Sequence, residues 1–105
     1  MLFRSLLKTG GWNDTTLFPE HISVLAENVP DYLNKKGIFL IGVDVPSVDQ
    51  IDSKTLPIHH ALGKNGIYIL ESLRLKDVPP GLYDLIALPL RLAGADGCPV
   101  RAVLR

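Results

Sequence analysis

The sequence predicts an α/β fold, and three observations support that class. First, Ile38 to Val45 is a nearly continuous apolar run of β-forming residues, which is typical of a strand covered on both faces. Second, a helical pattern over about Glu27 to Lys36 comes directly before that run. Third, another helical pattern, Leu56 to Lys64, leads into a strand pattern, Ile67 to Leu73. This alternation of helices and strands is typical of α/β proteins.

Length and charge restrict the domain count and the classes of partner. The chain has 105 residues, 47% of them hydrophobic and 21% charged, as expected for a single globular domain over residues 1–105. Eleven basic and eleven acidic residues give a formal net charge of zero. That balance argues against nucleic acid as a partner, because nucleic-acid binding needs clustered positive charge. It also argues against a polybasic membrane patch.

The cysteine count and the apolar runs bear on the compartment. The single cysteine, Cys98, cannot form an internal disulfide, which favours a reducing environment and predicts a cytoplasmic protein. No apolar run approaches the ~18 residues of a membrane span. The opening segment MLFRSLL is too short in its apolar stretch for a signal peptide.

The remaining elements follow from local signals. Leu2 to Leu7 is predicted to be a strand, and residues 13–26, which lack a clean period, a long loop with helical pieces of undefined position. In the first helix Val29, Tyr32 and Leu33 share one face, and Gly37 supplies the left-handed residue after its end.

The second helix and the C-terminal third complete the prediction. Thr55 or Ser53 is the candidate cap of the second helix. Leu82 to Leu92 reads as a long strand, with a bulge or edge at Pro89 because proline lacks a ladder donor. Val100 to Leu104 reads as a closing strand with its first, third and fifth residues on one face.

Two adjacent histidines, His59 and His60, lie on the second predicted helix. His59 is three residues from both Leu56 and Leu62 and therefore shares the apolar face, whereas His60 aligns with Lys64 on the wetter face. A histidine on an apolar face is more often a core residue than a metal ligand, so the residues alone leave both interpretations open.

Glu71 interrupts an apolar row. Strand alternation places it on the same face as Ile67, Ile69 and Leu73, and a buried carboxylate needs a cation, hydrogen-bond donors or a raised pKa. One interpretation is a strand-end glutamate that reaches water or pairs with Arg74 or Arg101. The other is a metal ligand that converges with the helix histidine.

Other polar residues are weaker candidates. Three aspartates at and after the buried strand could bind a hard metal, but a solvated loop with Asx turns is the commoner outcome; they are Asp44, Asp49 and Asp52. Cys98 has no CxxC context and reads as a small turn residue rather than a nucleophile. No phosphate-binding loop, dinucleotide fingerprint or G-x-S-x-G motif occurs.

Four segments give the sequence a resemblance to a known family. They are G-x-D-x-P-S-x-D at 42–49, HH followed by G-I-x-I-L-E at 59–71, D-L-I-A-L-P-L at 84–90 and C-P-V-R-A-V-L at 98–104. The chain resembles the C-terminal half of bacterial kynurenine formamidases, the arylformamidases of the metal-dependent cyclase family. The resemblance extends from Leu2 to Arg105, is strongest from Gly37 onward and is loose over 10–26.

The resemblance implies a swivelling β/β/α fold, with a mixed sheet and packed helices. It also implies a divalent metal centre, usually zinc and often binuclear, with manganese as an alternative. It implies hydrolysis of N-formyl-L-kynurenine to kynurenine and formate, in tryptophan degradation. By the same resemblance His59 and Glu71 are metal ligands, and we regard His60 as a residue that could orient the small formamide substrate or donate a hydrogen bond near the metal.

The family's other ligands and a catalytic histidine belong to an H-x-G-T-H-x-D motif of its N-terminal half. This sequence lacks that motif, since His21 lies in F-P-E-H-I with no histidine four residues later. We therefore expect an incomplete fold with no catalytic residue of its own, inactive unless the N-terminal half or a homo-oligomer partner completes it. Truncation and a separately encoded half both fit. The alternatives are another cyclase or amidohydrolase of the superfamily and a non-catalytic chain.

Overall fold

The computed structural model describes residues 3–105, and in that range the chain forms two helices and five strands. In chain order these are β1 (Phe3–Leu7), α1 (Val29–Lys35), β2 (Ile38–Val43), α2 (Pro57–Lys64), β3 (Tyr68–Leu70), β4 (Leu85–Ala87) and β5 (Ala102–Leu104). Every predicted helix and strand is found, in the predicted order, which confirms the α/β class. Position 2 of the first predicted strand lies outside the described residues.

A parallel three-stranded sheet, in the order β1-β2-β3, supports the site. Ile41 of the central strand pairs with Ser5 on one side and Ile69 on the other. Because parallel strands need long crossover connections, α1 lies in the connection from β1 to β2 and α2 in the one from β2 to β3. The second half of β2 is fully buried, as its unbroken apolar sequence predicts.

The apolar core joins β2 and the segment after it to both helices. Its buried side chains are Ile22, Leu33, Ile41, Val43, Val45, Val48, Ile58, Leu62 and Ile67. The two helices are also linked by a hydrogen bond of 3.1 Å from Asn65 Nδ2 to Asp31 Oδ1. Ile58, in the first turn of α2, belongs to this core together with Val45 and Val48 of the segment after β2, and the candidate site lies beside them.

Two helix ends differ in how well the sequence anticipates them. Gly37 has φ of 74°, as expected for the left-handed residue after α1. At α2, the capping residue is Leu56, with φ of 46°, rather than Thr55 or Ser53. Ser53 still contributes, because its Oγ accepts a hydrogen bond of 3.1 Å from Leu56 N–H. On α1, Tyr32 is 58% exposed and does not share the buried face of Leu33.

The long strand predicted over 82–92 is wrong in extent, since the strand that forms is Leu85–Ala87, next to which Asp84 and Arg105 exchange two backbone hydrogen bonds. Its partner β5 supplies just three residues to an antiparallel ribbon. Pro89 lies outside β4, so the bulge or edge expected at that residue is not formed. The ribbon is separate from the parallel sheet, so parallel pairing occurs in one sheet and antiparallel pairing in the other. The strands predicted over 38–45, 67–73 and 100–104 are also shorter than expected.

Strongly apolar residues around this ribbon are left in contact with solvent. Leu82 and Leu88 are at least three-quarters exposed, and Leu90 and Leu92 are about half exposed.

Within residues 3–105 no helix has the length and apolar character needed to cross a membrane.

Candidate metal centre

The candidate site lies at the carboxyl ends of β2 and β3, where parallel sheets commonly bind ligands. The loop after β2 carries Asp49, α2 carries His59 in its first turn, and Glu71 follows β3 directly. Neighbouring parallel strands end on the same side of the sheet, which brings these three residues together although they are distant in sequence.

His59 and Glu71 converge. The Nε2 atom of His59 lies 3.0 Å from Oε1 of Glu71, and the two side chains are 30% and 31% exposed. Among the described residues the partner of Glu71 is this histidine, rather than Arg74 or Arg101, which the sequence offered as alternatives. The side chains therefore meet as the face argument predicts, at a position that solvent can reach.

The other ring nitrogen of His59 is held by Asp49. Oδ2 of Asp49 lies 2.7 Å from Nδ1 of His59 and also accepts a hydrogen bond of 2.9 Å from the backbone N–H of His59. Oδ1 accepts a further bond of 2.9 Å from Ile58 N–H. Asp49 is only 3% exposed, so the interpretation of a solvated loop residue is wrong for this aspartate.

These hydrogen bonds keep Asp49 ionised. Burial alone would raise the pKa of Asp49, but the backbone N–H groups of His59 and Ile58, together with the His59 ring, outweigh burial and hold that pKa below its ordinary value. An ionised carboxylate at the beginning of a helix is also favoured by the helix dipole. The negative charge of Asp49 is thus stabilised by the same groups that it positions.

Glu71 is held by the backbone on both sides. Its Oε1 accepts a hydrogen bond of 3.3 Å from Val48 N–H. The next residue, Ser72, has φ of 59°, a conformation uncommon for a residue other than glycine. Ser72 N–H also donates to Val45 C=O at 2.9 Å, which fixes the chain beyond β3 to the loop beyond β2. The carboxylate is thereby turned toward α2.

The other sequence candidates are not part of this cluster. Asp44 holds the turn after β1, because its carboxylate accepts bonds of 3.0 Å from Thr9 N–H and 2.9 Å from Gly10 N–H. Asp52, His21 and His60 are exposed. Sequence reasoning missed the part played by Asp49 and gave it no more weight than the other two aspartates. The local sequence carries no signal for this part, because the backbone groups that Asp49 binds lie nine and ten residues later, in α2.

Cys98 belongs to the turn before β5. Its Sγ accepts a hydrogen bond of 3.3 Å from Leu90 N–H, in agreement with the interpretation as a turn residue. Cys98 also borders a cavity of about 740 Å³ that reaches His59 and Glu71. Arg74 and Asp96 line the same cavity and bring one positive and one negative side chain to it.

The donor set fits part of a metal centre. Imidazole nitrogen and carboxylate oxygen are common zinc ligands, and two such atoms about 2.1 Å from one tetrahedral ion lie about 3.4 Å apart. The observed 3.0 Å therefore needs only a small adjustment. Asp49 cannot join the pair around one ion because it faces the opposite nitrogen. Among the described residues, no group of three or more His, Cys, Asp and Glu side chains is placed to hold a metal ion.

Comparison with known proteins agrees with the resemblance. The kynurenine formamidases of Geobacillus thermodenitrificans and Bacillus cereus are each 54% identical to this chain over 102 residues. The chain is homologous to kynurenine formamidases over half of their length. The alignment includes 97% of this chain but 49% of each relative, a coverage that fits a C-terminal half. A scan against protein-family models finds no match.

Solved structures support the same fold. A structure described as a potential metal-dependent hydrolase with cyclase activity aligns with a TM-score of 0.69 and 40% identity, over 77% of this chain and 40% of its own. A predicted metal-dependent hydrolase from Bacillus stearothermophilus aligns with a TM-score of 0.68 and 40% identity, over 77% and 39%. The chain thus has the cyclase-family fold, incomplete relative to these structures, as the sequence predicts.

Proposed function

We propose that this chain supplies the C-terminal half of a metal-dependent hydrolase that converts N-formyl-L-kynurenine to L-kynurenine and formate in tryptophan degradation. The observation that carries the proposal is the distance of 3.0 Å between His59 Nε2 and Glu71 Oε1, because these are two donors of the types that bind divalent metals. The 54% identity to kynurenine formamidases supports the substrate, and the descriptions of the solved relatives support metal dependence.

In this proposal His59 and Glu71 are ligands of a divalent cation. Zinc is the proposed metal, in a mononuclear or binuclear centre, with manganese as the alternative. A bound divalent cation polarises a carbonyl oxygen and activates water for attack. The chain itself contributes the fixed placement of both donors at the ends of β2 and β3. His60, the exposed neighbour of His59 in the sequence, is the residue that we propose to orient the substrate.

The rest of the centre comes from outside residues 3–105 in this proposal. A catalytic zinc site usually has three protein ligands and an open position, and the described chain brings two together. The chain spans about half the length of the curated relatives it matches. We therefore propose that an N-terminal half, or a second copy of this chain, supplies the remaining ligands and the proton-transferring histidine.

The cavity beside the pair suits a small amide. Its volume of about 740 Å³ lies in the range of about 300–1,000 Å³ that small-molecule sites occupy. N-formylkynurenine carries an α-carboxylate and an α-ammonium group, and Arg74 and Asp96 offer the opposite charges along the cavity. We propose that residues 1–105 form one partial domain that acts in the cytoplasm.

A second candidate function is hydrolysis or cyclisation of a different amide or lactam. It is favoured by one solved relative, which is described as a metal-dependent hydrolase with cyclase activity. The ligand pair would be the same in both enzymes, so the substrate profile of the completed enzyme distinguishes them. A third possibility, a non-catalytic chain, requires that no substrate be turned over after completion.

The test is to complete the chain and follow product. The 105-residue chain is mixed with the N-terminal half of the Geobacillus thermodenitrificans relative, supplied with zinc or manganese, and assayed for kynurenine release. We expect turnover that His59→Ala and Glu71→Ala each abolish. The matched controls His21→Ala and Glu20→Ala, both at exposed positions, should retain it. Turnover that survives both site variants would contradict the proposal, and faster turnover of a lactam would favour the second candidate.

A further inference from the structure

Asp49 is a buried charged residue that the proposed ligand pair does not use. It is 3% exposed, and burying a carboxylate is costly unless hydrogen bonds compensate. It also faces Nδ1 of His59, away from Glu71. Its burial therefore calls for a role other than metal ligation.

One oxygen of Asp49 determines two features of His59. Oδ2 accepts the backbone N–H of His59 at 2.9 Å and lies 2.7 Å from the ring Nδ1. The other oxygen, Oδ1, accepts Ile58 N–H at 2.9 Å, so the carboxylate itself cannot rotate freely. Both the position of the residue on α2 and the direction of its ring are thus tied to one fixed group.

The chemistry of this contact determines which ring nitrogen is protonated. An ionised carboxylate can only accept hydrogen bonds, so Nδ1 must carry the proton that the two atoms share. A neutral imidazole with its proton on Nδ1 has its lone pair on Nε2, the atom that faces Glu71. Glu71 competes for the ring proton, but it is 31% exposed and its contact is longer, 3.0 Å against 2.7 Å.

We infer that Asp49 is a positioning residue, which holds the His59 ring in the tautomer that leaves Nε2 free to bind a cation beside Glu71. Carboxylate partners of this kind commonly orient metal-binding histidines. The cation part of the inference rests on the proposed function. The tautomer part depends only on this chain and can be measured without metal.

The loop residues just before Asp49 also help to hold Glu71, the second proposed metal ligand. Val48 N–H donates to Oε1 of Glu71 at 3.3 Å, and Ser47 Oγ accepts the N–H of Asp49 at 3.1 Å. The adjacent residues Val48 and Asp49 thus hold the two donors from one short loop. This arrangement gives a physical reason for the serine and the second aspartate of the segment G-x-D-x-P-S-x-D.

A purely structural role for Asp49 is the competing explanation, because its carboxylate also accepts hydrogen bonds from backbone N–H groups at the beginning of α2. A variant of Ser53 distinguishes this structural role from the positioning role. Its Oγ accepts the Leu56 N–H at 3.1 Å and so supports the same helix end, but it does not contact the His59 ring. Ser53→Ala should therefore weaken the helix end while the ring tautomer remains unchanged.

The experiment is ¹⁵N NMR of the histidine rings in the metal-free 105-residue chain, recorded at alkaline pH. His21→Gln and His60→Gln assign the signals. We expect wild-type His59 to show protonated Nδ1 and bare Nε2. In Asp49→Asn the two assignments should exchange, because a neutral amide oxygen attracts the Nδ1 proton less strongly than a carboxylate, and the carboxylate of Glu71 can accept the proton from Nε2. Asp52→Asn and Ser53→Ala should retain the wild-type pattern.

Two results would overturn the inference. One is a wild-type spectrum with the proton on Nε2, which decides the matter even if Asp49→Asn fails to fold. The other is a folded Asp49→Asn that keeps the proton on Nδ1. A zinc titration of the completed protein adds a second readout. There we expect Asp49→Asn to bind zinc about 10–100-fold more weakly than wild type, with Ser53→Ala unchanged. Inactivity toward formylkynurenine, by contrast, would contradict the proposed function alone.

Discussion

The Nε2 atom of His59 lies 3.0 Å from the Oε1 atom of Glu71, although one residue belongs to α2 and the other follows β3. Two features produce this contact. Asp49 fixes the ring of His59 from its far side at 2.7 Å, and Val48 N–H holds the carboxylate of Glu71. The contact between His59 and Glu71 is thus fixed by a buried carboxylate on one side and a backbone N–H group on the other.

We predict that the 105-residue chain alone does not hydrolyse N-formylkynurenine. Two protein ligands leave a zinc ion mostly coordinated by water, whereas a catalytic site normally has three. The measurement is kynurenine release by the purified chain loaded with zinc or manganese. Robust turnover that His59→Ala and Glu71→Ala abolish would contradict this prediction. The missing ligands would then come from within the chain or across a homodimer, with Asp44, Asp49, Asp52, His21 and His60 as the first residues to test.

Asp44 is predicted to stabilise the fold at neutral pH and to lose that effect in acid. Burial raises its pKa, but hydrogen bonds from Thr9 and Gly10 outweigh burial and hold the pKa below the ordinary 3.8. A carboxyl group whose pKa is lowered by folding stabilises above its unfolded pKa, and the effect disappears as the pH falls through the folded pKa. We expect Asp44→Asn to lower the free energy of unfolding by about 1–3 kcal/mol at neutral pH.

Urea denaturation across a pH series measures this effect. The difference between wild type and Asp44→Asn should be constant above about pH 5 and shrink below the ordinary pKa. Asp77→Asn, at an exposed position, is the matched control and should differ little from wild type throughout. A difference that grows in acid would contradict the assignment.

Gly42 is predicted to be needed at the centre of the parallel sheet. A Cβ atom there would lie 2.4 Å from Leu6 Cδ2 and 2.6 Å from Leu73 Cδ1, so both leucines would have to move. We expect Gly42→Ala to destabilise the chain by about 1 kcal/mol, at the low end for overpacking because both atoms end flexible side chains. Gly63→Ala is the control, since no atom lies within 4 Å of its added Cβ. Thermal unfolding in which both variants behave alike would contradict the packing argument.

The apolar residues around β4 and β5 are predicted to cause self-association. Leu82, Leu88, Leu90 and Leu92 are exposed, and contiguous exposed apolar surface favours association. Sedimentation velocity should show oligomers of the isolated chain. Leu88→Lys should shift the distribution toward monomer, whereas Thr15→Lys, at an exposed polar position, should not. A strictly monomeric wild-type chain would contradict this prediction.

The parts of the fold that sequence predicts well have strong local signals. β2 is recognised because it is apolar without alternation and covered on both faces. α2 is recognised from the helical pattern over Leu56 to Lys64, which leads into a strand pattern. The convergence of His59 with Glu71 follows from side-chain parity on one helix and one strand, since each residue shares the apolar face of its own element.

The parts that sequence does not predict depend on distant partners. Residues 82–92 have the composition of a long strand, but β5 pairs with only Leu85–Ala87. The local sequence does not show that Asp49 is buried. The groups that compensate its charge belong to Ile58 and His59, which lie nine and ten residues later in α2. A loop aspartate and a buried helix-capping aspartate look alike in one sequence.

The most direct test of the central claim is a crystal structure of the completed protein with zinc, with the ion located from its anomalous signal. The central claim is that His59 and Glu71 are ligands of one divalent cation. We predict Nε2 of His59 and a carboxylate oxygen of Glu71 within about 2.0–2.2 Å of the same ion, with Asp49 still on Nδ1. An ion bound elsewhere, with Nε2 of His59 and the carboxylate of Glu71 still in direct contact and no ion between them, would contradict it.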